Sequence, residues 1–241
     1  MQATKAIIAV AAVFTVMTIS FARPENGAVS GQVRIEGSAV KPQMIDMSME
    51  PSCAKQYARP VVEENVVTGP GNALENVVVY ISAGAQDDAP PAQPVVLTQK
   101  GCRYSPHILA FQVNQDFQVL NQDKTAHNFH PLPTSNREWN KSQPPGAPPI
   151  EEKYGRPEFI PVMCNIHPWM KGTLAVMKNS HYAITAAGGE FKLPNLPPGN
   201  YTITAWHESF GEQSQPVIIG GGESKTLNFV FKAKSSSMGA N

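Results

Sequence analysis

The sequence predicts an all-β fold, and three observations carry that expectation. Proline accounts for 22 of 241 residues, about 9%, against an average usage of ~5%; at that density it breaks helices and punctuates strands. Charged residues make up only 16%, too few for a disordered or long helical chain. Several short stretches alternate apolar and polar residues at period two, and there are no heptads, no long amphipathic helix and no fixed repeat.

The first element is not part of the fold. Lys5, the uncharged apolar run Ala6–Ile19 and the small residues Ser20 and Ala22 read as a secretory signal over residues 1–22. The alternative is an uncleaved anchor, since the run is slightly shorter than a membrane span requires. No later stretch could cross a bilayer as a helix, so no stable membrane span is expected after cleavage near Arg23. The expected location is the periplasm or the medium. Nineteen basic and nineteen acidic residues balance to a net charge of zero, which argues against nucleic-acid binding, since that needs a basic stripe.

Strand patterning follows in order. Val29, Gly31, Val33 and Ile35 alternate with polar residues, and Asn76–Ser82 is β-branched. His107–Val113 and Phe117–Leu120 flank the polar tip Asn114-Gln115-Asp116, which suits a hairpin. Ala89–Pro94 and Pro144–Pro149 are proline-rich loops, too short to link independent domains. After about Asn179 the texture changes. Glu190–Leu193, Tyr201–Trp206, Gln215–Ile219 and Ser224–Phe231 are short strands separated by turn-rich connections such as Pro194–Gly199 and Gly220–Gly222. In the last of them Leu227, Phe229 and Phe231 share one side. The expected division is one domain over 23–178, a small β-sandwich over 179–233 and a frayed tail over 234–241.

Three cysteines are an odd number for an oxidising compartment. Cys53 and Cys102 could pair and leave Cys164 over, although three cysteines allow three pairings. The neighbours of Cys164 argue for leaving it unpaired. Cys164-Asn-Ile-His167-Pro-Trp-Met170 spaces a thiolate, an imidazole and a thioether so that one turn can gather them around a point. Soft sulfur with imidazole suits copper, which such a set can hold in both Cu(I) and Cu(II). A second imidazole is needed, and His127, in the run Phe117–Asn128, lies 37 residues upstream of Cys164. His130 is the rival, but strand alternation points it to the opposite side from His127. His107 is expected to pack beside Cys102, His181 at a surface between domains. Trp206-His207-Glu208 is expected as a hydrogen-bonded edge pair rather than a second metal site.

These motifs resemble the cupredoxins, the blue copper proteins. The Cys164–Met170 loop has the short spacing of amicyanin, and Asn128 directly follows the first histidine, as in that family. The resemblance covers residues of about 100 to 178. It implies a Greek-key cupredoxin sandwich binding one type 1 copper ion through His127, Cys164, His167 and Met170. It also implies that Asn128 ties the ligand loop by hydrogen bonds. The stretch Phe191–Tyr201 resembles carboxypeptidase regulatory-like, or prealbumin-like, sandwiches.

The function expected from this resemblance is electron transport with a redox partner protein, a cytochrome c or a dehydrogenase. No enzyme activity is expected, because four protein ligands leave no open position for substrate. Pro168 and Trp169 beside His167 would form an apolar docking rim. The alternatives are a copper storage or carrier protein, or a carbohydrate-binding or adhesive surface module.

Overall fold

The computed structural model describes residues 25–37 and 41–233; the signal segment expected over 1–22 and the tail expected over 234–241 lie outside the described residues. The fold is all-β. Among the described residues, no helix is long and apolar enough to cross a membrane.

The strands form four sheets, which pack in pairs. One pair makes a sandwich whose sheets lie far apart in sequence. In its first sheet Gly27–Glu36 is central, antiparallel to Glu190–Leu196 and parallel to Ser224–Thr226 and Phe229–Lys232. The second sheet runs Tyr182–Ile184, Val78–Ala83, Gly199–His207, Gly211–Ile219, all antiparallel. Inward residues of both sheets share one buried core: Val29, Val33, Val79, Ile81, Leu193, Ile203, Phe229 and Phe231 among them. The alternation at Val29–Ile35 and Leu227–Phe231 is therefore the inner face of this sandwich.

This arrangement corrects the expected boundary at 178/179. The sandwich of the C-terminal strands is completed by Gly27–Glu36 and Val78–Ala83, and the remaining body is inserted between Val78–Ala83 and Tyr182–Ile184. The physical reason is size. A segment of about 55 residues buries too small a fraction of its surface to be comfortably stable, and the two N-terminal strands supply the missing inner faces.

The inserted body is the second sandwich. One sheet runs Tyr104–Ser105, Val95–Gln99, Phe117–Asn121, Ile150–Glu152; the other runs Ile108–Gln112, Lys171–Met177, Glu158–Met163, His127–Pro131, Lys141–Gln143. Between them lie Leu97, Phe111, Phe117, Phe129, Ile160 and Leu174, all fully buried. The hairpin expected around Asn114–Asp116 does not form. Ile108–Gln112 pairs in parallel with Lys171–Met177, while Phe117–Asn121 pairs in parallel with Val95–Gln99 in the facing sheet. Phe111 and Phe117 meet across the core at 5.1 Å between ring centroids. Burial of both rings on facing sheets makes the tip a sheet-to-sheet crossing rather than a two-strand turn.

The two bodies are joined by an apolar seam. Phe159 stacks on Trp206 with centroids 4.0 Å apart and planes 6° from parallel, over buried Val78, Ile108, Ala175 and Met177. The excursion between Gly27–Glu36 and Val78–Ala83 reaches the far end of the inserted body. It carries the short helix Pro51–Ala54 and is fastened by a Cys53–Cys102 disulfide spanning 49 residues. A loop of that length contributes about 4 kcal/mol in the chain-entropy picture. Met47, Cys53 and Cys102 are buried there, with Ile45, Tyr57, Val61 and Trp169 packed against them.

Candidate metal centre

The end of the inserted body under this excursion holds the chemistry. His127 opens the strand His127–Pro131, and Glu158–Met163 and Lys171–Met177 form an antiparallel hairpin beside it. Residues 164–170 are the loop of that hairpin, which two backbone bonds fold back on itself: Cys164 N–H to Met170 O at 3.0 Å and Met170 N–H to His167 O at 2.9 Å. The spacing of Cys164, His167 and Met170 is thus the spacing of a closed turn. Its donors lie at the base and the tip, turned toward the neighbouring strand.

The donors converge. His127 Nδ1 lies 3.0 Å from His167 Nδ1, and Cys164 Sγ lies 3.6 Å from His167 Nδ1. One ligand atom from each of His127, Cys164 and His167 falls within 4.8 Å of the others, and all three residues are fully buried. Met170 is buried in the same core cluster as Cys164. Cys164 is a free thiol. His130 is turned away, bonded through Nδ1 to Asn165 Oδ1 at 3.1 Å and through Nε2 to Glu138 at 2.8 Å. The alternation that separates His127 from His130 is that of the strand itself.

Asn128 holds the loop against the strand. Its Oδ1 accepts from the Asn165 N–H at 2.7 Å and from Cys164 Sγ at 3.4 Å, and its Nδ2 donates to Asn165 Oδ1 at 2.9 Å. Asp123 is the residue that sequence reading missed. Its carboxylate accepts from His127 Nε2, from the Cys102 N–H and from the Gly101 N–H, each at 2.8 Å. An ionised carboxylate can only accept, so Nε2 carries the hydrogen and Nδ1 is the atom free to bind a cation. The signal was faint: an acid four residues before His127 in a polar run. Nothing in that run announces that Asp123 is buried. Gly101 is required at this turn, since its φ of +65° is left-handed and an added Cβ would meet the Tyr57 hydroxyl at 2.2 Å.

The electrostatics are those of a buried thiol coupled to two imidazoles. Burial alone would raise the Cys164 thiol, but hydrogen bonding to His127 and to nearby backbone N–H groups outweighs it and holds the thiol below its ordinary value. Burial would likewise lower His127, yet the bonds to Asp123 and Cys164 win and raise it. Asp123, also opposed by burial, is held low by His127 and the two backbone N–H groups. His167 is pushed down by burial and by the neighbouring charge of His127. A cation bound here must displace any proton on Cys164 Sγ or His127 Nδ1.

The residues fit a metal. His127 Nδ1, His167 Nδ1 and Cys164 Sγ converge in a fully buried corner, while His167 Nε2, outside that set, has no hydrogen-bond partner among the described residues. A thiolate and two imidazoles are deprotonatable donors of the right softness for copper. The expected apolar rim is altered, however. Pro168 and Ile166 are exposed, but His167 is fully buried and Trp169 is half-buried. The Trp169 Nε1–H donates to Cys102 O at 3.1 Å and its ring packs against the cluster of Met47, Cys53 and Cys102, and Cys53 lies within 4.8 Å of a His167 ring nitrogen, so the disulfide-fastened excursion covers the imidazole.

The remaining histidines lie elsewhere. His107 is buried, meets Glu208 through Nε2 at 2.5 Å and approaches Glu64 through Nδ1 at 3.8 Å. Glu208 therefore pairs with His107, not with its neighbour His207. His207 is fully buried against Phe210, accepts from the Ser209 N–H at 3.1 Å, and is pushed down to about 4 by burial.

Comparison with known proteins gives two kinds of match. The family described as carboxypeptidase regulatory-like domain matches residues 173–232. That span omits Gly27–Glu36 and Val78–Ala83, which complete the same sandwich. No curated protein matches the chain. Among solved structures it is similar to a novel purple cupredoxin from Nitrosopumilus maritimus, at 18% identity and TM-score 0.30 over 34% of this chain and 99% of that one. It is similar also to a methionine-to-alanine variant of amicyanin in the Cu(I) form, at 17% identity and TM-score 0.32 over 41% of this chain and 98% of that one. A Cu-containing nitrite reductase from Thermus scotoductus SA-01 is similar at 19% identity and TM-score 0.33, over 41% of this chain but only 25% of the reductase. The chain is thus similar to cupredoxins in one part and to carboxypeptidase regulatory-like domains in another.

Proposed function

We propose that this chain is a type 1 copper protein that carries electrons between redox partners in the periplasm or outside the cell. One observation carries the reading: His127 Nδ1, His167 Nδ1 and Cys164 Sγ converge in a dry pocket, with Met170 buried on the same loop. His127, Cys164 and His167 would hold the ion, and Met170 would offer a weak thioether donor. Copper so held supplies a one-electron couple in a ligand set that is a compromise between the preferences of Cu(I) and Cu(II).

The chain's own residues serve that couple by staying still. Asp123 fixes the ring of His127, Asn128 fixes the loop that carries Cys164, and the sandwich and the excursion exclude water. Protein donors fill the set, which favours a carrier over an enzyme. The partner proteins would be a cytochrome c or a dehydrogenase, meeting the end of the body around Ile166 and Pro168. Zero net charge leaves little long-range steering for that encounter.

Copper storage is the second reading, favoured by the burial of His167, which leaves no ligand edge at the surface. Metal analysis with an optical spectrum separates the two. A carrier holds one copper and shows an intense sulfur-to-copper absorption that bleaches and returns on reduction and reoxidation. A colourless protein that keeps Cu(I) and does not cycle is a store. In Cys164→Ser the absorption should vanish while the unfolding transition persists; retained colour would refute thiolate ligation.

A further inference from the structure

The Cys53–Cys102 bridge does more than fasten the excursion, because its sulfurs lie against the metal-binding imidazoles. Cys53 Sγ, Cys102 Sγ and a ring nitrogen of His167 fall within 4.8 Å of one another, and all three residues are fully buried. Cys102 Sγ also lies within 4.8 Å of a His127 ring nitrogen and an Asp123 oxygen. His167 turns Nδ1 toward Cys164 and His127, while its Nε2 is buried and has no partner. The inner donor set makes no use of that atom.

We propose that reducing this bridge opens a second, soft-metal site made of Cys53 Sγ, Cys102 Sγ and His167 Nε2, suited to Cu(I). The reductant is a dithiol. It transfers two electrons and two protons to the bridge, the S–S bond breaks into two thiols, and the donor closes to its own disulfide. Cu(I) then binds without changing oxidation state, and the thiols release their protons as they ligate. The geometry suits this. Metal–sulfur and metal–nitrogen bonds of roughly 2.0–2.3 Å place donors around one ion about 3.3–4 Å apart, so these three atoms need shift by only about an ångström. Two thiolates and an imidazole in a dry corner select soft ions over hard ones. In the oxidised chain the same sulfurs are a disulfide and offer no thiolate. The site is therefore available only under reducing conditions, one imidazole away from the inner donors.

The proposal stands on the bridge and His167 and does not require the electron-carrier reading. The test uses the full chain with Cys164→Ala, which removes the inner thiolate. Anaerobic Cu(I) titration against bicinchoninate should show no capture by the oxidised variant. After reduction by a phosphine and removal of the reductant, it should capture one equivalent. Adding Cys53→Ser should abolish that capture, and adding His167→Ala instead should weaken it at least tenfold. No capture by the reduced variant would overturn the proposal, and so would equal capture without His167. Because Cys164→Ala can compromise folding, the unaltered chain provides a second measurement. With two equivalents of Cu(I) present, Cys53 and Cys102 of the reduced protein should react with iodoacetamide at least tenfold more slowly than without metal; equal rates would overturn the proposal. The electron-carrier reading is judged separately, from the spectrum of the oxidised chain.

Discussion

Asp123→Asn is the substitution that most directly tests how the metal centre is held. The change preserves shape but replaces one acceptor oxygen with a donor NH2. In the native protein Oδ1 accepts from the Gly101 N–H, and Oδ2 accepts from both the Cys102 N–H and His127 Nε2. If the new amide nitrogen takes the first position, it faces the Gly101 donor. If it takes the second, it faces the Cys102 donor and drives the His127 hydrogen from Nε2 to Nδ1, the atom needed for the ion. Either way a buried donor loses its acceptor, at about 1–3 kcal/mol, and charge-assisted bonds worth ~1.5–3 kcal/mol weaken. The metal-free variant should therefore be less stable by about 2–4 kcal/mol. Loss of an outer hydrogen-bond partner to a ligating histidine typically costs 10–100-fold in metal affinity, or about 1.4–2.8 kcal/mol. Urea unfolding of the metal-free protein measures the first effect, and Cu(II) competition against a chelator at pH 7 the second. Stability lost with affinity unchanged within threefold would make Asp123 a fold residue only. Neither quantity changing would refute the tautomer argument altogether.

Three further outcomes follow from the same geometry. Met170→Leu should raise the reduction potential of the copper-loaded protein by removing the thioether, and an unchanged potential in voltammetry would exclude axial ligation. Residues 179–233 expressed alone should show no cooperative unfolding, because the strands Gly27–Glu36 and Val78–Ala83 complete their sheets; a sharp thermal transition would contradict the inserted-body arrangement. His207, pushed down from 6.5 to about 4 by burial, takes up its proton more readily unfolded than folded. It therefore costs nothing above about pH 6.5, and it lowers stability as pH falls from there to about 4, by about 3 kcal/mol in all. Denaturant unfolding of His207→Asn should show that much less acid sensitivity than the unaltered chain, and parallel pH profiles would refute the assignment.

What the sequence determined by itself was chemistry that is local along the chain. Period-two alternation marked most of the strands, and the seven residues from Cys164 to Met170 placed three donors in one turn. Alternation from His127 to His130 chose between two histidines, because successive strand residues face opposite sides whatever the sheet. Asn128 was legible only through the resemblance to cupredoxins, in which an asparagine directly follows the first histidine.

Tertiary structure decided whatever depends on which strand lies beside which. Alternation says that Val29–Ile35 has an inner face but not whose core it faces, and so the sandwich of Gly27–Glu36 with Phe229–Lys232 was hidden. The crossing at Asn114–Asp116 looked like a hairpin because polar tips serve both connections equally. Asp123 and the cover over His167 were invisible for a related reason. Burial of a carboxylate is set by the Gly101–Cys102 turn that meets it, and the place of Cys53 beside His167 by a disulfide spanning 49 residues. Such contacts are fixed by packing between distant segments, where no local pattern records them.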